Sequence, residues 1–146
     1  MRTFVFLIWA VLVVVVGCGN NTPATGKDSK GFDLTLWEKK FSVQFPKTVQ
    51  VIGVRTEAGM DDAIYLKIRI SSADWPKFLQ TSPIDPRDLS DDKRFFLGPD
   101  WQWWDPGKQT SVPTAQAFLE DGNVLNMGYR QNPKGSTDVY LMWYQR

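Results

Sequence analysis

The sequence predicts an α+β domain: a mainly antiparallel, twisted sheet with one short helix packed on one face, and a long loop rich in Pro, Asp and Trp. Three observations carry this. Residues 63–70 alternate strictly, with Ile64, Leu66, Ile68 and Ile70 facing one way and Tyr65, Lys67 and Arg69 the other. Ser71-Ser72-Ala73-Asp74 supplies helix-start chemistry. It precedes Trp75, Phe78 and Leu79, which share a helical face at i, i+3 and i+4. Three further strand signals then close the chain, at 114–120, 124–130 and 137–144. An all-β sandwich is the competing architecture.

The chain opens with a basic Met1-Arg2 and an unbroken apolar run from Phe4 to Val16. A basic start, an apolar stretch of roughly 7–15 residues and a small residue at its end describe a secretory signal peptide. A bilayer-spanning helix needs roughly 20 apolar residues, which this run does not reach. Val15-Val16-Gly17-Cys18 resembles the lipobox of bacterial lipoproteins. The valines replace the Leu and the Ala or Ser more frequent there. The resemblance implies that residues 1–17 are removed and that Cys18, acylated, becomes the new N-terminus. Its partner would be a membrane, held through lipid; two or more acyl chains suffice for stable anchoring, at about 0.8 kcal/mol per buried methylene. Gly19 stands where an Asp would direct inner-membrane retention in that family. The implied address is therefore the cell envelope, and the periplasmic face of the outer membrane in a two-membrane host.

Residues 18–31 follow as a tether. They hold no large apolar side chain and cannot offset the entropy of ordering. As a coil they span roughly 20 Å, and at full stretch about 45 Å. Residues 32–146 form the single folded domain. Leu34 and Leu36, then Phe41, Val43 and Phe45, alternate and predict two short extended pieces before Pro46. Residues 48–55 read as a strand, paired antiparallel with 63–70 across the turn at 57–62. Pro76 sits in the tolerated first turn of the helix, and Ser82-Pro83 ends it.

Between Pro83 and Pro113 the periodicity dissolves over about thirty residues holding five prolines and six aspartates. A short helix over 89–96 would break it up; loops of this length are otherwise uncommon and are often functional. Asp121-Gly122 marks a tight hairpin between the next two strands. In the last strand Val139, Leu141 and Trp143 oppose Tyr140, Met142 and Tyr144. Both faces are apolar, which predicts a central strand with one face under the helix.

Composition excludes several classes. Loss of Arg2 with the leader leaves sixteen basic against sixteen acidic residues, no excess charge for a polyanion, and so no nucleic-acid partner is expected. The chain has no His, and its one Cys is assigned to lipid. Disulfides, thiolate nucleophiles, Cys/His zinc sites and His-based triads are thereby excluded from the mature domain. No cofactor or metal is expected.

Trp101-Gln102-Trp103-Trp104-Asp105-Pro106 is the most unusual stretch. Indole faces stack on sugar rings and a neighbouring carboxylate accepts from hydroxyls, so Trp103, Trp104 and Asp105 are the candidate ligand-binding residues. The competing role is core filling, since one Trp buries about 150–250 Å². Asp105 precedes a proline, which favours an extended backbone. Extension through the motif places Trp101 and Trp103 on one face, expected to be buried, and Trp104 beside Gln102 on the exposed face.

Asp85, Asp88, Asp91 and Asp92 could offer oxygens to a hard cation, but their spacing fits a solvated, helix-capping surface better. Three glutamates and thirteen aspartates single out no carboxylate pair for hydrolysis. The mature region resembles small α+β envelope lipoproteins of bacteria, a likeness that implies no activity. The expectation is a non-enzymatic, membrane-anchored lipoprotein that binds a protein partner in an assembly or inhibitory role. The alternative is a glycan- or peptidoglycan-binding module.

Overall fold

The computed structural model describes residues 33–59 and 62–146. The leader, Cys18 and the tether lie outside the described residues. The domain is α+β, built on one open, five-stranded antiparallel sheet. Its strands are β1 (Gln50–Glu57), β2 (Ala63–Ser71), β3 (Thr114–Phe118), β4 (Val124–Asn132) and β5 (Ser136–Tyr144). They lie in the order β1-β2-β5-β4-β3, with the doubly apolar β5 at the centre as its pattern requires. β1 and β2 pair as expected, with a bulge between Val51 and Gly53. Gly122 (φ 85°) and Gly135 (φ 75°) take the left-handed conformations of the two hairpin turns that follow β3 and β4.

The first face carries the main core. Ile64, Leu66, Ile68 and Ile70 of β2 pack with Val139, Leu141 and Trp143 of β5 and Leu125 and Met127 of β4. Two helices cover it, where the sequence pattern predicts one. Residues 34–41 form α1 (Leu34–Phe41), not an extended piece. Asp33 accepts from the Thr35 N–H at 3.0 Å as N-cap. Ser42, left-handed at φ 54°, closes the helix with Lys39 and Lys40 in its last turn. Leu34, Trp37 and Phe41 then share a helical face, a spacing that outweighs the Leu34–Leu36 alternation. The 42–46 stretch also forms no strand. α2 (Trp75–Gln80) sits where expected, with Trp75 and Phe78 buried. Its start differs in detail, since Asp74 makes no cap bond and accepts instead from the Thr48 hydroxyl at 2.5 Å.

The long connection wraps around the β3 edge. Ile84 and Leu89 still pack on the first face. Ser90 then pairs with Thr114 as an isolated antiparallel bridge, and Leu97 emerges on the second face. In place of the expected α-helix over 89–96, the segment holds 3₁₀ turns at Pro86–Asp88, Asp91–Leu97 and Pro106–Lys108. Asp85 and Ser90 cap the first two. Prolines at the starts, and Asp and Ser side chains competing for backbone N–H groups, favour such short turns.

Candidate functional site

The second face of the sheet is where loop and strands meet. Cross-strand register lays its residues in rows. Arg55, Tyr65, Met142, Asn126 and Gln116 form one row; Gly53, Lys67, Tyr140, Gly128 and Thr114 form the next. Arg69, Asp138 and Arg130 form a third. Over the first two rows lies residue stretch 97–112, whose side chains make a second, aromatic core.

Trp104 is its centre. It is 0% exposed, edge-on to both Tyr65 and Tyr140, each with ring centroids 5.3 Å away. Its indole N–H donates to the Leu97 carbonyl at 2.9 Å. Trp101 and Trp103 flank it and remain partly exposed. The burial order expected from the sequence is thus reversed, and the cause is local. Asp105 is not extended (φ −133°, ψ 40°), and the Trp101 N–H bonds the Trp104 carbonyl at 2.5 Å. The motif is a tight turn, so strand alternation does not apply to it. Trp103 instead lies on Gly53, where a Cβ would stand only 2.5 Å from the indole. Leu97 and Val112 seat on Gly128 in the same way, at 2.8 and 2.9 Å. Trp101 stacks under the Arg55 guanidinium at 4.3 Å.

Asp105 faces inward as well. Its Oδ1 accepts from Lys67 Nζ at 2.6 Å and the Tyr140 hydroxyl at 2.9 Å, and its Oδ2 from Gln109 at 2.7 Å. Lys67, only 6% exposed, also donates to the Trp103 carbonyl at 3.0 Å. The bonds continue. Arg130 donates to the Gln109 side-chain oxygen, to Asn132 at 2.5 Å and to Asp138 at 3.1 Å. Arg69 holds the other side of Asp138 in a two-pronged pair at 2.6 and 3.0 Å.

Burial pushes both carboxyls up, but hydrogen bonds and charge from Lys67 at Asp105, and from Arg69 at Asp138, outweigh it and hold both below the ordinary range. Tyr140 moves far the other way, through burial and then the Asp105 charge beside it. Five charged groups are thereby linked, three cations against two anions.

Beside this network opens a groove of about 370 Å³. Gln109, Thr110, Ser111 and Pro113 line one side, and Tyr129, Arg130 and Gln131 the other.

Of the sequence candidates, Trp103, Trp104 and Asp105 come together here, yet Trp104 has no free face and Asp105 no free oxygen for a sugar. The acidic loop residues do not converge. Arg87 holds Asp85 down at about 2, and Asp91 ties Arg94, Ser111 and the Val112 N–H into the loop. Among the described residues, no group of three or more acidic side chains is placed to hold a metal ion. The residues that sequence reasoning passed over are Lys67, Arg69, Gln109, Arg130, Asp138 and Tyr140. Their signal was a charge lodged inside otherwise apolar strands, clearest for Asp138 next to Val139. Comparison with protein-family models, curated proteins and solved structures finds no match to this chain.

Proposed function

We propose that the chain is a non-enzymatic, lipid-anchored envelope protein whose domain binds another protein, in an assembly or inhibitory role. The anchoring half rests on Val15-Val16-Gly17-Cys18 and the apolar run before it. The observation that carries the binding half is how the polar groups are spent. On the second face, each carboxylate oxygen of Asp105 and Asp138 already accepts a bond from a strand or loop side chain, so both acids are engaged in holding the loop and strands together. Phe95 and Phe118, on the β3 side of the sheet, are 70% and 65% exposed instead. Large rings left in water are the kind of anchor that protein interfaces bury. The glycan alternative asks for open indole faces, and within the Trp101–Trp104 turn Trp101 and Trp103 are partly accessible while Trp104 is buried.

Cys18→Ser should abolish palmitate labelling and leave an unprocessed precursor; equal labelling of the variant refutes lipidation. Crosslinking in envelope fractions should trap one recurrent protein with the native chain and lose it in a Phe95→Ser/Phe118→Ser double variant. Recovery of peptidoglycan fragments in its place would favour the glycan reading.

A further inference from the structure

The groove beside β4 has a backbone wall with groups that have no hydrogen-bond partner among the described residues. Thr114 exchanges both backbone bonds with Ser90, so it faces away from β4. Alternation then turns the Tyr129 backbone towards β3, and its N–H indeed donates to the Pro113 carbonyl at 3.2 Å. Proline has no N–H to return, so the Tyr129 carbonyl is left over and the ladder stops. Two residues on, Gln131 faces the same side with no strand opposite, since β3 pairs with β4 only as far as Gly128. The Tyr129 carbonyl faces the Pro113 ring, and beyond it the N–H and C=O of Gln131 turn to the groove with no bond among the described residues.

At the same place the polar network is one positive charge in excess. Arg130, its member in the groove, is one-third exposed along its side chain (33%). Thr110 adds a hydroxyl to the opposite rim, where the Ser111 hydroxyl already donates to Asp91.

We infer that this groove receives the extended C-terminal end of a polypeptide. The peptide backbone would pair with the Gln131 N–H and C=O, and its terminal carboxylate would meet the exposed part of Arg130. This deepens the protein-partner reading and rests on it. The match is one of chemistry. A peptide backbone supplies the donor and the acceptor that Gln131 lacks, and one carboxylate balances the network's surplus charge. The volume suits a segment of a few residues, within the roughly 300–1,000 Å³ usual for ligand sites.

The test is a titration of the ¹⁵N-labelled full chain with acetyl-Val-Thr-Val bearing a free C-terminal carboxylate, and with the same peptide ending in a carboxamide. Shifts confined to the amides of Tyr129, Arg130 and Gln131 are expected, with the free acid binding about tenfold more tightly. Thr110→Glu puts a negative charge on the exposed rim without touching the network. It should weaken the free acid severalfold and leave the carboxamide unchanged. Equal affinity for the two peptides would overturn the inference. So would shifts elsewhere, silence at concentrations on the order of 10 mM, or a response to N-acetylmuramic acid but not to peptide. A crosslinked partner that Thr110→Glu retains in full would overturn this site while leaving the partner reading intact.

Discussion

The two faces of the sheet are closed by different means. On the first face, helices α1 and α2 lie over aliphatic side chains, and their backbone groups bond within the helices and through the caps and turns that adjoin them. Such a cover asks nothing polar of the strands beneath it. On the second face the cover is an irregular chain, which carries bare carbonyls into the interior, where each needs a donor. The strands and the cover itself provide them. Asn126 donates to the Phe96 carbonyl at 2.7 Å, Lys67 to that of Trp103 and Trp104 to that of Leu97. Buried Lys67 and Asn126 are the counterpart of a loop standing where a helix would be. Where the loop ends, at Gln109, the network opens to solvent and the groove begins.

Six substitutions and one titration sharpen that contrast. Trp104→Ala should be the most damaging, removing the hub of the second core and its bond to Leu97. About 3–5 kcal/mol is expected, a large part of the 5–15 kcal/mol typical of a whole domain, and urea denaturation measures it. A loss below about 1 kcal/mol would mean that the second face is not a core.

Gly128→Ala comes next. The new methyl would meet Thr114, Leu97 and Val112 at once, all buried, and should cost about 1–3 kcal/mol. Gly53→Ala meets only the partly exposed Trp103, which can swing outward. It should therefore change indole fluorescence more than stability.

Asn126→Leu tests the carbonyl argument, since it keeps the branched shape and strands the Phe96 oxygen, while Gln116 loses its bond to Asn126 and keeps the one to the Tyr144 hydroxyl. About 1–2 kcal/mol should be lost, against under about 1.5 kcal/mol, and nearer zero, for Met127→Leu on the dry face.

The smallest effect is expected with pH. Asp105 and Asp138 are held below their unfolded values, so the stability they contribute is present above the ordinary carboxylate range. It is lost as pH falls through their lower folded values. Asp138→Asn should flatten that acid limb. An unchanged limb would indicate that other carboxylates cause it.

The sequence announces the first face better than the second, for a physical reason. Strict alternation in β2 and the double apolarity of β5 are direct records of a pleated strand with two buried faces. The helix at 34–41 was hidden, because Leu34 and Leu36 satisfy a strand period while Leu34, Trp37 and Phe41 satisfy a helical one. Its deciding feature was the Asp33 cap. The Trp101–Trp104 turn leaves no periodic trace at all. Its conformation is set by one backbone bond and by contacts with residues such as Gly53 and Tyr65, distant in the chain. Likewise, nothing local tells Lys67 that Asp105 lies opposite. Charges inside apolar strands show that partners exist and leave them unnamed.

Native-state hydrogen exchange of the Trp104 indole N–H tests most directly whether the loop is as integral as the helices. If the second face is a true core, that proton exchanges only through global unfolding, with the same free energy as the Leu141 amide in central β5. Exchange through a much cheaper opening, with Leu141 still protected, would show the loop lifting from an intact sheet and would contradict the account.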